Sequence, residues 1–173
     1  GNMWEKVTLQ LESYRNKKSM IYEFAFDELD LVQDEANNRK ILKILGSGLS
    51  SGRVSGTVDN VNYENVDFMS LENSILEATK VGCKAKSTIQ LLENCEKVCE
   101  VRKMLKLKKW DDLLKYMELN TNEVKDQSIE SELNLAVNES KNQSLLKLLK
   151  ECLKDGSLPG EIRDLNNFNY LKT

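Results

Sequence analysis

The sequence predicts an all-α protein, either an elongated helical bundle or an α-solenoid-like array built from an internal repeat of about 104 residues. The first observation is composition, because a single proline among 173 residues and an abundance of Leu, Lys and Glu favour helix. The second is that leucines recur every three or four residues, as in a helix that packs along its length. The third is an ungapped match between residues 28–62 and residues 132–166.

The match joins identical residues at the same spacing. The pairs are Glu28 and Glu132, Leu29 and Leu133, Leu31 and Leu135, Glu35 and Glu139, Asn38 and Asn142, Leu42 and Leu146, Lys43 and Lys147, Leu45 and Leu149, Leu49 and Leu153, Gly52 and Gly156, Gly56 and Gly160, and Asn62 and Asn166. Trp4-Glu5 and Trp110-Asp111 lie upstream of the two segments. Arrays of helical units mostly bind other macromolecules.

The repeat predicts how the chain is divided. Residues 1–3 form its start, in which Gly1-Asn2 ahead of Met3 is interpreted as a vector remnant. Residues 4–109 are expected to form the first helical unit, and residues 110–173 a truncated second unit. The chain is therefore expected to be an excerpt from a longer protein.

The first unit should begin with a helix over 4–11, because Trp4, Val7 and Leu11 share a helical face. A polar turn at 13–19 and a long helix over 20–49 should follow. Gly52 is a suitable stop for that helix.

A loop with a glycine at each end follows the long helix in both units, at 52–56 and 156–160. A short helix over 71–80 should start from Ser70 as its N-cap. Ser87 and Gln90 match a capping box at the start of a second long helix. That helix should bury a stripe of side chains, and a helix over 110–119 should repeat the first one. The stripe consists of Leu91, Cys95, Val98, Arg102 and Leu105.

A set of polar residues lies within the predicted apolar stripes, and we call it the polar seam. It contains Glu35, Asn38, Arg102, Glu139 and Asn142. A carboxylate that faces a helix interface needs a partner, and Arg102 is the expected partner of Glu35. The favoured interpretation is a polar layer that fixes helix register. The alternative is a polar ligand pocket or a catalytic carboxylate.

The most basic segment combines five cations with apolar side chains over residues 101–110. Its candidate partner-binding residues are Arg102, Lys103, Lys106, Lys108, Lys109 and Trp110. A basic amphipathic helix of this kind can bind a calmodulin-like protein, an acidic partner or an anionic membrane. The alternative is a solvated helix face whose apolar side lies in the core.

The chain contains no histidine, which excludes Ser-His-Asp and Cys-His catalysis. A zinc site would need Cys or carboxylate ligands alone. Cys95 and Cys99 have no Cys-x-x-Cys pattern, so we interpret them as core residues. The glycine loops lack the Gly-Lys-Ser/Thr ending of a phosphate-binding loop. We expect no catalytic residue, cofactor or metal.

A net charge of −3 argues against a dedicated nucleic-acid binder, and no apolar run is long enough to predict a membrane span. Four cysteines without a signal peptide indicate reduced thiols in a cytoplasmic protein. The general appearance is similar to large α-helical repeat proteins of eukaryotic microbes.

The sequence thus favours a non-catalytic helical repeat module for protein–protein interaction, as a scaffold or in association with the cytoskeleton, within a larger intracellular protein. The alternative is a regulatory helical region of a multidomain enzyme or motor. In that case the basic segment around Trp110 would bind a calmodulin-like or acidic partner.

Overall fold

The computed structural model describes residues 3–16, 23–58, 60–120 and 124–155. Within these residues the helices are α1 (Met3–Asn16), α2 (Glu23–Ser50), α3 (Met69–Val81), α4 (Lys86–Lys106), α5 (Trp110–Leu119) and α6 (Gln127–Asp155). A short antiparallel hairpin pairs β1 (Gly56–Thr57) with β2 (Asn60–Val61). The predicted all-α class is therefore confirmed.

Helix α4 lies at the centre of the fold and packs against α2, α3, α5 and α6. Its stripe of Cys95, Val98, Val101 and Leu105 is fully buried. These side chains are of small to medium size, which suits a helix with neighbours on several sides. Cys99 is buried as well, so the interpretation of Cys95 and Cys99 as core residues is confirmed.

Helix α3 packs closely along the C-terminal half of α2 at a position that requires glycine. A Cβ atom on Gly48 would lie 2.6 Å from Ser74 Oγ and 3.1 Å from Leu71 Cδ1. Both distances are shorter than ordinary van der Waals contact. Gly48 therefore permits the close approach of α2 and α3, although glycine is a poor helix former.

The predicted glycine stop of α2 is confirmed at Gly52. Its φ is +65°, and a Cβ atom there would lie 2.5 Å from Asp67 N. The loop that follows contains the hairpin β1–β2, which the sequence pattern did not predict. The corresponding loop at 156–160 lies outside the described residues.

Three local predictions need correction. Helix α1 continues to Asn16, so the first part of the predicted turn at 13–19 is helical, while 17–19 lie outside the described residues. Ser70 is not the N-cap of α3, because Phe68 occupies that position and Asp67 Oδ1 before it accepts a hydrogen bond from Met69 N at 2.9 Å. The capping box at the start of α4 is not formed, since Gln90 Nε2 donates to Glu93 instead.

The long helices α2 and α6 begin at positions offset by about 104 residues, but they pack against α4 through different halves. In α2 the C-terminal half is covered, with Ile41 and Leu45 buried, whereas their counterparts Leu145 and Leu149 are exposed. In the N-terminal half the order is reversed, because Glu28 is exposed and Glu132 is buried. Equivalent positions in the two segments thus have different surroundings. The hydrophobic core runs from α2 through α4 to α6 without a break at 109–110.

Candidate functional site

Arg102 is fully buried, and its guanidinium joins three parts of the fold. Its Nε donates to Glu132 Oε1 at 2.7 Å and its Nη2 donates to Glu132 Oε2 at 3.1 Å. The same guanidinium donates to Leu49 O at 2.7 Å and to Ser51 O at 2.6 Å. These carbonyls lie at the C-terminal end of α2, where a cation is favourable. Arg102 therefore ties α4 to the end of α2 and to α6.

The carboxylate of Glu132 also interacts with the loop after α2, through one hydrogen bond and one ion pair. Its Oε1 accepts a hydrogen bond from Val54 N at 3.0 Å, and its Oε2 lies 3.8 Å from Arg53 Nε. Arg53 also donates to Ser128 O at 2.6 Å. The buried carboxylate is thus charge-paired and hydrogen-bonded, as burial of a charge requires.

The expected pairing of Glu35 with Arg102 is wrong. Glu35 is partly exposed and accepts a hydrogen bond from Arg39 Nε at 2.6 Å on its own helix. The side chain does not reach the interface with α4 because α3 and α4 cover only the C-terminal half of α2. The carboxylate that pairs with Arg102 is Glu132, the counterpart of Glu28.

The asparagines of the polar seam are both half-buried. Asn38 Oδ1 accepts a hydrogen bond from Thr88 Oγ1 and lies 3.7 Å from Cys83 Sγ, so Asn38 joins α2 to the start of α4. Asn142 lies on α6 in the corresponding position. The inward direction predicted for Asn38 therefore agrees with its contacts.

Glu139 is buried beside the hairpin. Its Oε1 accepts hydrogen bonds from Tyr63 Oη and, at 2.9 Å, from Gln143 Nε2. Among the described residues, Glu139 Oε2 and Ser140 Oγ have no hydrogen-bond partner. Burial raises the pKa of Tyr63, and the hydrogen bond to Glu139 and the nearby negative charge act in the same direction. The Tyr63 ring also packs against Trp110, with ring centroids 6.0 Å apart.

The basic segment 101–110 is not one continuous amphipathic helix. Helix α4 ends at Lys106 and α5 begins at Trp110, and Lys108 between them has φ +55°. Arg102 is buried in the core and is not available to a partner, which corrects its assignment as a partner-binding residue. Trp110 is half-buried against Tyr63.

The lysines of this segment are not equivalent. Lys106 Nζ donates to Tyr63 O at 2.9 Å and to Glu64 O at 3.1 Å, so it holds the hairpin region. Lys103 Nζ lies 3.8 Å from Glu100. Lys108 and Lys109 are exposed in the short connection between α4 and α5.

An exposed apolar surface lies on the C-terminal half of α6. Leu145, Leu148 and Leu149 are 54%, 56% and 48% exposed, and we call these three residues the leucine face. Leu145 and Leu148 also line a cleft of about 440 Å³ between α5 and α6, together with Leu114 of α5. Asp111 links α5 to α6 at this cleft, because its Oδ1 accepts a hydrogen bond from Ser144 Oγ at 2.7 Å. Apolar surfaces of this kind often mark binding sites.

Neither the role of Glu132 nor the leucine face was predicted from the sequence. Glu132 could have been found from the sequence, since it is identical to Glu28 in the two matched segments. The leucine face also has a signal, because Leu145, Leu146, Leu148 and Leu149 occupy too wide an arc to be covered by one adjacent helix. The sequence does not show which helix lies next to Glu132 or which one lies next to these leucines.

The two core cysteines are chemically protected. Burial raises the pKa of the Cys95 thiol to about 12 and that of the Cys99 thiol to about 11. The described ranges contain no candidate metal site, because no group of His, Cys, Asp and Glu side chains there is arranged to hold a metal ion. None of the described helices combines the length and the apolar character needed to cross a membrane. Comparison with protein-family models, curated proteins and solved structures finds no match.

Proposed function

We propose that this chain is a non-catalytic α-helical module that binds other proteins through helix faces, in a scaffold or cytoskeleton-associated role in the cytoplasm. The observation that carries the proposal is the exposure of the leucine face. Three neighbouring leucines on one helix surface form an apolar patch whose removal from water favours association.

The fold itself suggests the kind of partner. At the corresponding positions of α2, Ile41 and Leu45 are buried in the interface that α2 forms with α3 and α4. Leu145 and Leu149 present the same type of side chain at the same spacing. We therefore propose an amphipathic helix, placed on α6 much as α3 is placed on α2, as the occupant of the leucine face.

One difference from α2 limits how closely that helix can approach. Gly48 allows the tight contact between α2 and α3 because it has no Cβ atom. The corresponding residue of α6 is Cys152, which has a side chain. A partner helix must therefore lie farther from α6 near Cys152 and make its main contact at Leu145 and Leu148. Burial of three leucines against a single helix also has to offset the entropy lost on association, so we expect weak, reversible binding.

The proposal extends to an array of such units. The offset of about 104 residues between the starts of α2 and α6 supports a repeat, as do the identical residues of the two segments. In an array, each long helix would be covered along both halves, by neighbours on either side. An elongated bundle or solenoid is the form that this proposal implies.

The alternative of a calmodulin-like switch receives no support from the contacts of the basic segment. Val101, Arg102 and Leu105 are all in the core, so a partner that wrapped the whole segment would have to unfold the end of α4. Within the segment, Leu107, Lys108 and Lys109 are exposed and have no such role in packing.

The proposal is tested with a fluorescein-labelled peptide of residues 66–82, which carries the α3 sequence, titrated with the full chain and followed by fluorescence anisotropy. We expect weak saturable binding that is lost in a Leu145→Lys/Leu148→Lys variant. The matched control is Leu76→Lys in the full chain, with the peptide unchanged. It replaces an exposed leucine of α3 and should leave binding unchanged.

Because the substituted leucines are exposed, both variants should keep the wild-type far-UV circular dichroism spectrum. Absence of binding by the folded wild-type chain would contradict the proposed partner. Equal binding by the wild type and the leucine-face variant would show that the peptide binds elsewhere.

A further inference from the structure

A second unfilled surface lies on the N-terminal half of α2. Leu31 is 70% exposed and Val32 is 37% exposed, and Glu28 next to them is also exposed. We call Glu28, Leu31 and Val32 the Glu28 face. Residues 27–35 around it contain five acidic and no basic residues, and two of the five are paired within the molecule, Asp34 with Lys84 and Glu35 with Arg39.

The counterparts of the Glu28 face on α6 form an interface within this molecule. Glu132 corresponds to Glu28 and pairs with Arg102, and Ala136 corresponds to Val32 and is buried. Leu135, the counterpart of Leu31, is partly buried and packs against the core that contains the buried side chains of α4. The repeat thus keeps Glu and Leu at positions that bind an arginine-bearing helix in one segment and face solvent in the other.

We infer that the Glu28 face is a docking site for a helix of the α4 type, an amphipathic helix that places one arginine within its apolar stripe. This inference rests on the proposed interaction role but concerns a different surface from the leucine face. The arginine pairs with Glu28, as Arg102 pairs with Glu132, and the apolar side chains around it cover Leu31 and Val32.

Charge favours this occupant. The C-terminal part of α4, residues 101–106, contains Arg102, Lys103 and Lys106 and no acidic residue. A helix of this composition is complementary to the acidic surroundings of Glu28, which promotes encounter and fixes its position. In the chain itself α4 is already engaged by α2 and α6, so the docking helix must come from another unit or another molecule.

The inference is tested with a fluorescein-labelled peptide of residues 90–107 titrated with the full chain at low salt. We expect the Glu28→Arg variant to weaken binding about tenfold, because like charges then face each other. A peptide with Arg102→Glu should bind the wild-type chain weakly and the Glu28→Arg variant more tightly. This reciprocal exchange would assign the contact to the two positions.

The matched control is Asp30→Arg, which makes the same change of charge on α2 but about 200° around the helix from Glu28. It should affect binding of the peptide less than Glu28→Arg does. Equal weakening by both variants, failure of the charge exchange, or absence of binding by the folded wild type would each overturn the inference. Leu145→Lys/Leu148→Lys should leave binding of this peptide unchanged, so failure here is distinguishable from failure of the leucine-face proposal.

Discussion

The guanidinium of Arg102 and the carboxylate of Glu132 form a fully buried bidentate ion pair between α4 and α6. The same guanidinium binds carbonyl oxygens at the end of α2. Three helices distant in sequence thus depend on one side chain. The geometry suits arginine in particular, since a lysine ammonium cannot supply the planar set of five donors.

Glu132→Gln should lower the free energy of unfolding by about 3–5 kcal/mol, because it leaves the Arg102 charge buried without its counter-ion. Urea denaturation of the variant and the wild type measures the difference. Glu35→Gln is the matched control, since Glu35 pairs with Arg39 near solvent. Its effect should stay below about 1 kcal/mol.

A double-mutant cycle separates the ion pair from the other roles of Arg102. Arg102→Met, Glu132→Leu and the double variant should be strongly non-additive, with the double variant less destabilised than the sum of the single ones. Additive losses would mean that the two residues stabilise the fold independently.

Two glycines of α2 should respond in opposite directions to the same substitution. At Gly46 an added Cβ meets nothing within 4 Å, so Gly46→Ala should raise the free energy of unfolding by about 0.5–1 kcal/mol. At Gly48 the Cβ would overlap Ser74, so Gly48→Ala should lower it by about 1–3 kcal/mol. Urea midpoints of the two variants test this, and stabilisation by Gly48→Ala would show that α3 is not packed as closely as described.

Stability should fall at alkaline pH because of the core cysteines. Burial raises the pKa of Cys95 to about 12 and of Cys99 to about 11, so both keep their protons in the folded state above 9.0, the ordinary thiol value, while the unfolded chain loses them. Proton release therefore favours unfolding, and the stabilisation present below pH 9.0 is lost as the pH rises towards 11–12.

Urea midpoints measured at about pH 7.5 and about pH 10 give this dependence. The Cys95→Ala/Cys99→Ala variant should be less stable at both values but lose less between them. Cys152→Ser, at an exposed cysteine, should keep the wild-type difference. An equal loss in the wild type and the core variant would assign the pH dependence to other groups.

Helices with strong local signals were predictable. The sequence predicted a helix over 110–119, and α5 has those bounds; the glycine stop at Gly52 is likewise confirmed. Both features depend on short-range spacing and on backbone conformation at single residues, which neighbouring residues largely determine.

The polar residues were predictable in type but not in partner. Glu35 and Glu139 are corresponding residues of the two matched segments, yet Glu35 pairs with Arg39 near solvent and Glu139 is buried against Tyr63. Arg102 was correctly expected to face a helix interface, but its partner lies thirty residues further along the chain, at Glu132. Long-range pairing depends on which helix lies opposite, and leucine spacing carries no such information.

The sequence by itself determined the all-α class, most helix limits and the internal match between the segments around α2 and α6, because these follow from periodicity and residue identity. Only the tertiary structure decided which half of each long helix packs against α4. Helix α4 occupies the space between the C-terminal half of α2 and the N-terminal half of α6 and buries both. The leucine face and the Glu28 face lie on the other halves of these two helices, which α4 does not reach. One helix can cover only the surfaces within contact distance of its own side chains.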